Sequence, residues 1–136
     1  MLRKSKEDFT VSELNILRLL WEEDRALCSS EILTLLPELN LFTTSIYTIL
    51  NGMMRKGLLT VEGKIKRGKR FARTFRAAIS QEDFAAMQVA KLTPNLPRSQ
   101  RLIGVFSAMI KHDGIDKETL SALEELLQQK RKELDQ

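Results

Sequence analysis

Residues 43–76, TTSIYTILNGMMRKGLLTVEGKIKRGKRFARTFR, decide how the rest of the chain is read. Ile46, Ile49, Leu50 and Met53 recur at three- to four-residue spacing, which predicts a helix with one buried face running to about residue 56. Thr43 or Thr44 is placed to cap its start, and Gly57 stands where the glycine after a helix end belongs. Residues 58–61 then predict a strand, 63–69 a loop around Gly68, and 70–77 a returning strand. In that strand Phe71, Arg73 and Phe75 alternate with Ala72, Thr74 and Arg76. A helix followed by a hairpin is therefore expected, giving a mainly α chain with a small β-hairpin.

Charge singles out the same stretch. Positions 41–79 hold nine basic residues against one acidic residue, Glu62, whereas 1–40 and 113–136 each sum to −3. The overall +4 thus conceals a basic island between acidic ends. Lys64, Lys66, Arg67, Lys69 and Arg70 cluster at the hairpin tip. Such a cluster repels itself unless counter-charge arrives, and phosphate is the obvious source. The face of the helix opposite its apolar stripe carries Thr44, Tyr47, Thr48, Asn51 and Arg55. Hydroxyls, an amide and a guanidinium can bond base edges and phosphates, and no carboxylate interrupts them. Gly52 in mid-helix costs roughly 1 kcal/mol of propensity and leaves room for close backbone approach.

Working outward, residues 1–10 are charged and aperiodic and predict a frayed arm. Ser12 is placed to cap a first helix bearing Leu14, Ile16, Leu17, Leu20 and Trp21 on one stripe. Its acidic end, Glu22, Glu23 and Asp24, would repel DNA, so this helix reads as scaffold. Ser29 and Ser30 open a second helix with Ile32, Leu35 and Leu36 inward, ended near Pro37. Cys28 reads as a small buried thiol. Beyond the hairpin, Ser80 starts a helix to Leu92, and the 93–97 segment, TPNLP, breaks it and marks the boundary between a DNA-reading module and an appendage. Ser99 is placed to cap a further helix ending at Gly114, and Asp116 the last one. Their apolar stripes contain Leu102, Val105, Phe106, Met109 and Ile110, then Leu120, Leu123 and Leu127. Two such helices cannot enclose a core alone: either they pack back on the first domain or they pair with another chain, and a homodimer is expected because a motif repeated across a two-fold axis matches palindromic DNA. Met53, Met54 and Met109 read as core filling, and His112 as a helix C-terminal dipole partner.

Composition excludes several classes. One cysteine and one histidine leave neither a disulfide framework nor a Cys/His metal cluster, and no cofactor motif is present. There is no nucleophile–base pair, carboxylate pair or phosphate-cradling glycine loop, so no enzyme is expected. No apolar run approaches membrane-spanning length and the N-terminus lacks a signal-peptide core, which predicts a cytoplasmic protein.

The chain resembles the penicillinase-repressor family of bacterial regulators, which includes beta-lactamase, methicillin-resistance and copper-responsive repressors. The residues that carry the likeness begin with Ser12, Glu13, Leu14, Ile16, Leu17, Leu20, Trp21 and Glu22, then Ser30, Glu31 and Ile32. They continue through 44–50, TSIYTIL, and 55–59, RKGLL, to 115–120, IDKETL, and 123–127, LEELL. The resemblance implies a winged helix-turn-helix domain over 1–79 and a helical dimerisation domain over 80–136. It implies a repressor that sits as a homodimer on double-stranded DNA at a palindromic operator, the third helix in the major groove and the wing on the neighbouring backbone. The DNA contacts so expected are Ser30, Thr43, Thr44, Tyr47, Thr48, Asn51 and Arg55, with Lys64, Lys66, Arg67, Lys69, Arg70 and Arg73 on the wing. In penicillinase-type members a sensor-linked protease inactivates the repressor at an Asn-Phe bond. No Asn-Phe pair occurs here, and a gapless match places Ala108 and Met109 at that point. The paired C-terminal cysteines of copper-responsive members are absent too. The family usually has arginine or a similar polar residue where Gly52 stands, and threonine where Ser45 stands. A winged-helix adaptor whose basic wing docks an acidic protein is the alternative function.

Overall fold

The computed structural model describes residues 9–41 and 45–136. Thr43 and Thr44, and residues 1–8 of the expected arm, lie outside the described residues. Two compact units divide the chain between Gln88 and Val89.

In the first unit, α1 (Val11–Glu23) starts at Thr10, not at Ser12. The Thr10 hydroxyl accepts the Glu13 N–H at 3.1 Å while the Glu13 carboxylate accepts the Thr10 N–H at 2.7 Å. That reciprocal arrangement needs a Thr-x-x-Glu spacing, which Thr10 has and Ser12 lacks. Asp24 closes the helix in the left-handed conformation, φ 50°. Leu27 and Cys28 form β1, too short for any alternation to betray it. α2 (Ser29–Leu35) follows, and Pro37–Leu41 wind on as a 3₁₀ turn. The fixed φ of proline suits such a turn. Ser45 caps α3 (Ile46–Arg55), its Oγ accepting the Tyr47 N–H at 3.1 Å, in place of the expected threonines.

The sheet is antiparallel with strand order β1-β3-β2. β2 (Leu59–Arg67) runs well past residue 61, so most of the expected 63–69 loop is strand. Pairing with β3 (Arg70–Ala77) satisfies backbone groups that a loop would leave to water. Only Gly68 and Lys69 separate the paired Arg67 and Arg70, and Gly68 takes φ 63°, a value that costs glycine nothing. Val61 pairs with Phe75 and Gly63 with Thr74, so Glu62 is one extra residue, a β-bulge in β2.

Ile16, Leu17 and Leu20 of α1, Ile32 of α2, Leu50 and Met53 of α3, and Leu27, Leu59 and Phe75 of the sheet form one buried core. Burying a side chain such as Phe75 (2% exposed) contributes about 1.5–3 kcal/mol. Cys28 is buried, as expected. Phe84 joins the core edge, its ring 5.0 Å from Phe9 and 5.7 Å from Trp21, and the Trp21 indole donates to the Ile79 carbonyl at 2.9 Å. These contacts hold the start of α4 (Gln81–Leu92), where the Ser80 hydroxyl accepts the Asp83 N–H at 3.0 Å.

The second unit comprises the end of α4, α5 (Arg98–Asp113) and α6 (Lys117–Leu134). α5 begins after Pro97, which fixes a helix-compatible φ, so Ser99 lies inside the helix and does not cap it. The Arg101 guanidinium donates to the hydroxyl and carbonyl of Thr93 at 2.9 and 3.1 Å, which fixes the turn between α4 and α5. Gly114 ends α5, and the Asp116 carboxylate caps α6 by accepting the Thr119 N–H at 2.7 Å, as expected. Neither helix contains a buried residue. Met53 fills the core and Met54 lies against it, but Met109 is 58% exposed and fills no core within this chain.

Candidate nucleic-acid interface

The 3.6-residue period that buries Ile46, Leu50 and Met53 necessarily turns other residues of α3 outward. Tyr47, Thr48 and Arg55 are exposed and Asn51 is half-buried. No carboxylate stands among them. A Cβ built on Gly52 would meet nothing nearer than the Arg55 guanidinium at 3.7 Å. Intramolecular packing therefore does not demand a glycine there.

Among the described residues, side-chain links to three other elements hold α3 in place. The Tyr47 phenol oxygen accepts from the Ser29 hydroxyl at 3.4 Å, which joins α3 to the start of α2. An Arg73 guanidinium N–H donates to Asn51 Oδ1 at 3.4 Å, which joins it to the hairpin, and the same guanidinium lies 5.2 Å from the Phe75 ring centre. At the other end Lys56 Nζ sits 2.8 and 2.9 Å from the two oxygens of Glu13, which is only 5% exposed. The recognition-type face is thus presented by a helix tied to α1, α2 and β3.

Register sorts the basic residues of the hairpin. Directly opposed residues in an antiparallel pair share a face. Lys64 opposes Arg73 and Lys66 opposes Phe71, so all four lie on the face from which Arg73 reaches α3. Arg67 and Arg70 oppose each other on the other face, and Lys69 occupies the turn. The expected tip cluster is therefore divided between two faces and a turn. Arg67 is further set apart because its guanidinium lies 3.6 Å from both the Glu31 carboxylate and the Cys28 sulfur. Arg76 is likewise occupied, with Glu62 at 2.8 Å and Asp24 at 3.5 Å.

Ser30 sits exposed at the start of α2, its hydroxyl 3.1 Å from the Cys28 sulfur. Beside it Glu31 accepts the Cys28 N–H at 3.1 Å and pairs with Arg25 at 3.1 Å. The backbone N–H, then Arg25, hold the Glu31 carboxyl below its ordinary range. A depressed carboxylate stabilises the fold above its unfolded pKa, near 4.3, and that contribution is lost as pH falls through the folded value. Glu31→Gln is therefore expected to cost about 1 kcal/mol at neutral pH, the scale of a lost cap. Urea unfolding should show the gap to wild type closing as pH falls from about 5 to 3. A gap that stayed constant would show that the charge contributes nothing.

Two residues important to this geometry were not singled out by sequence. Ser45 follows two threonines, each with a hydroxyl equally suited to a cap, and so does not stand out. Phe71, 69% exposed, shares the strand face of core-bound Phe75, and alternation does not reveal where along a strand the core ends. Among the described residues no group of three potential metal ligands converges, and no helix is long and apolar enough to cross a membrane.

The arrangement can do one thing well: present a rigid, carboxylate-free helix face beside a basic strand face. Comparison with curated proteins finds no match. The family model described as penicillinase repressor matches residues 9–129, from Phe9 beside α1 to Gln129 in α6. That match spans both units, and the chain belongs to the penicillinase repressor family.

Proposed function

We propose that this protein is a sequence-specific DNA-binding transcriptional repressor that acts as a homodimer on a dyad operator. The observation that carries this is the outward face of α3, where Tyr47, Thr48, Asn51 and Arg55 stand without a carboxylate beside Lys64, Lys66 and Arg73. Ser30 at the start of α2, Thr43 and Thr44 before α3, and Lys69 and Arg70 at the wing end complete the proposed contacts. Lysines and arginines neutralise phosphates and fix register, and α3 reads base edges in the major groove. Arg67, tied to Glu31, contributes as a wing anchor as much as a phosphate contact.

Residues 80–136 supply self-association. Leu102, Phe106 and Met109 on α5, and Leu120 and Leu127 on α6, are 39–72% exposed, and Val105, Ile110 and Leu123 are half-buried. Apolar stripes on two successive helices call for cover, and a second copy related by a two-fold axis matches a palindromic site. Occupying the promoter then excludes polymerase. Relief by a sensor-linked protease would act by separating the two halves of the chain; with no Asn-Phe bond in the sequence, the cut would fall at another bond.

Selection of bound duplexes from a random pool tests the proposal. Enrichment of a two-fold symmetric motif is expected, and salt-sensitive binding without any enriched motif would sink it in favour of an adaptor with an acidic protein partner. On the enriched duplex, Lys69→Ala should weaken binding to all DNA and reduce the slope of log K against log salt by about one. Asn51→Ala should instead narrow the ratio between selected and random DNA, with the slope unchanged. Identical behaviour of the two variants in a salt titration would refute the division between phosphate and base contacts.

A further inference from the structure

Phe71 is the large apolar side chain left most exposed in the sheet, at 69%, although its strand neighbour Phe75 is buried at 2%. It lies directly opposite Lys66 and on the same face as Lys64 and Arg73, and Arg73 reaches Asn51 of α3. An aromatic ring ringed by cations has an unusual set of suitable partners. A purely apolar surface would strand the lysines, and a purely anionic one would leave the ring wet. The DNA backbone offers both, because each phosphate alternates with a deoxyribose whose C–H faces are apolar.

Distance selects among the apolar parts of DNA. A strand advances about 3.3 Å per residue, so Phe71 stands about 7 Å further out than Arg73. The major groove is about 12 Å wide, so a point about 6 Å from its middle is the sugar–phosphate ridge that bounds it. With α3 seated in that groove, Asn51 faces base edges, and Phe71, beyond Arg73 on the same strand face, lies outward from them toward the ridge.

We infer that Phe71 packs against deoxyribose on the ridge while Lys64 and Lys66 hold the flanking phosphates. This rests on the DNA-binding reading of α3. The contact displaces no counterion and reads no base, so it adds affinity equally to every sequence and at every salt concentration.

The test is a salt titration of full-length Phe71→Ala and Phe71→Leu on two duplexes, one selected by the wild-type protein and one random. Phe71→Ala is expected to bind both about tenfold more weakly, by the same factor, with log K against log salt displaced in parallel. Phe71→Leu, which keeps apolar reach, should recover most of the loss. Because Phe71 is exposed, the melting temperature of Phe71→Ala should match wild type; if it fell, Phe71→Leu would carry the comparison. A loss confined to the selected duplex would make Phe71 a base contact and overturn the inference, as would a changed slope or no loss at all. A selection in which wild-type protein enriches no duplex from the random pool would overturn the repressor reading itself, a result separate from any property of Phe71.

Discussion

Leu102→Asp together with Leu127→Asp is expected to leave a folded first unit on a chain that no longer pairs. Leu102 is 72% exposed and Leu127 63% exposed, so neither substitution opens a cavity within the chain. If a second copy covers both, each carboxylate enters an apolar interface without a cation, a cost of several kcal/mol per ion. Two coupled half-site contacts typically exceed one by roughly 10²–10⁴ in affinity. Losing the partner should therefore weaken binding to a symmetric duplex by at least about a hundredfold, while binding to a single half-site changes little. Sedimentation would give the mass and fluorescence anisotropy the affinity. A double variant that still sediments as a dimer would remove α5 and α6 from the interface. One that is monomeric yet binds a full site as wild type does would show that pairing plays no part in recognition.

Glu13→Ala should be the most damaging single exchange of a polar residue in the first unit, at about 2–4 kcal/mol. Three bonds converge on this carboxylate, one from the Thr10 N–H and two from Lys56 Nζ, at 2.7, 2.8 and 2.9 Å. Its loss removes the carboxylate half of the α1 capping box and withdraws both oxygens from an ammonium whose side chain is only 24% exposed. Glu13→Gln should fall between, since an amide oxygen can still accept the Thr10 N–H. Urea denaturation gives the size, and a double-mutant cycle with Lys56→Met isolates the pair. Lys56 immediately follows α3, so Glu13→Ala should also blur discrimination between selected and random DNA at temperatures where the protein is still folded. Wild-type stability in Glu13→Ala would mean that the ion pair gains no more than its desolvation costs.

How much was legible depended on the range over which each signal acts. The stripes of α1, α3, α5 and α6 stood out because a 3.6-residue period repeats over ten or more residues. Gly114 and Asp116 were read correctly because a cap is a local matter. Thr10 and Ser45 were not, because several hydroxyls compete for each start and the winner is set by which reaches a free N–H. β1 is invisible at two residues, and the length of β2 depends on pairing with a strand that follows it in sequence. At the candidate interface the residue types were legible and their partners were not. Nothing local predicts that Arg67 turns to Glu31, 36 positions away, or that Arg73 finds Asn51.

The extra residue at Glu62 gives the wing two parities. At its base, odd-numbered Leu59 and Val61 share the side of Phe75; toward its end, even-numbered Lys64 and Lys66 do. Continued without the shift, the ladder would set Ile65 beside Phe71 and turn both lysines to the far side, making a greasy wing where a charged one stands. The base therefore answers to the core and the end to whatever the wing grips, each in its own phase. The two can diverge in sequence independently, and an alternation rule carried from one across Glu62 to the other will misplace every side chain beyond it.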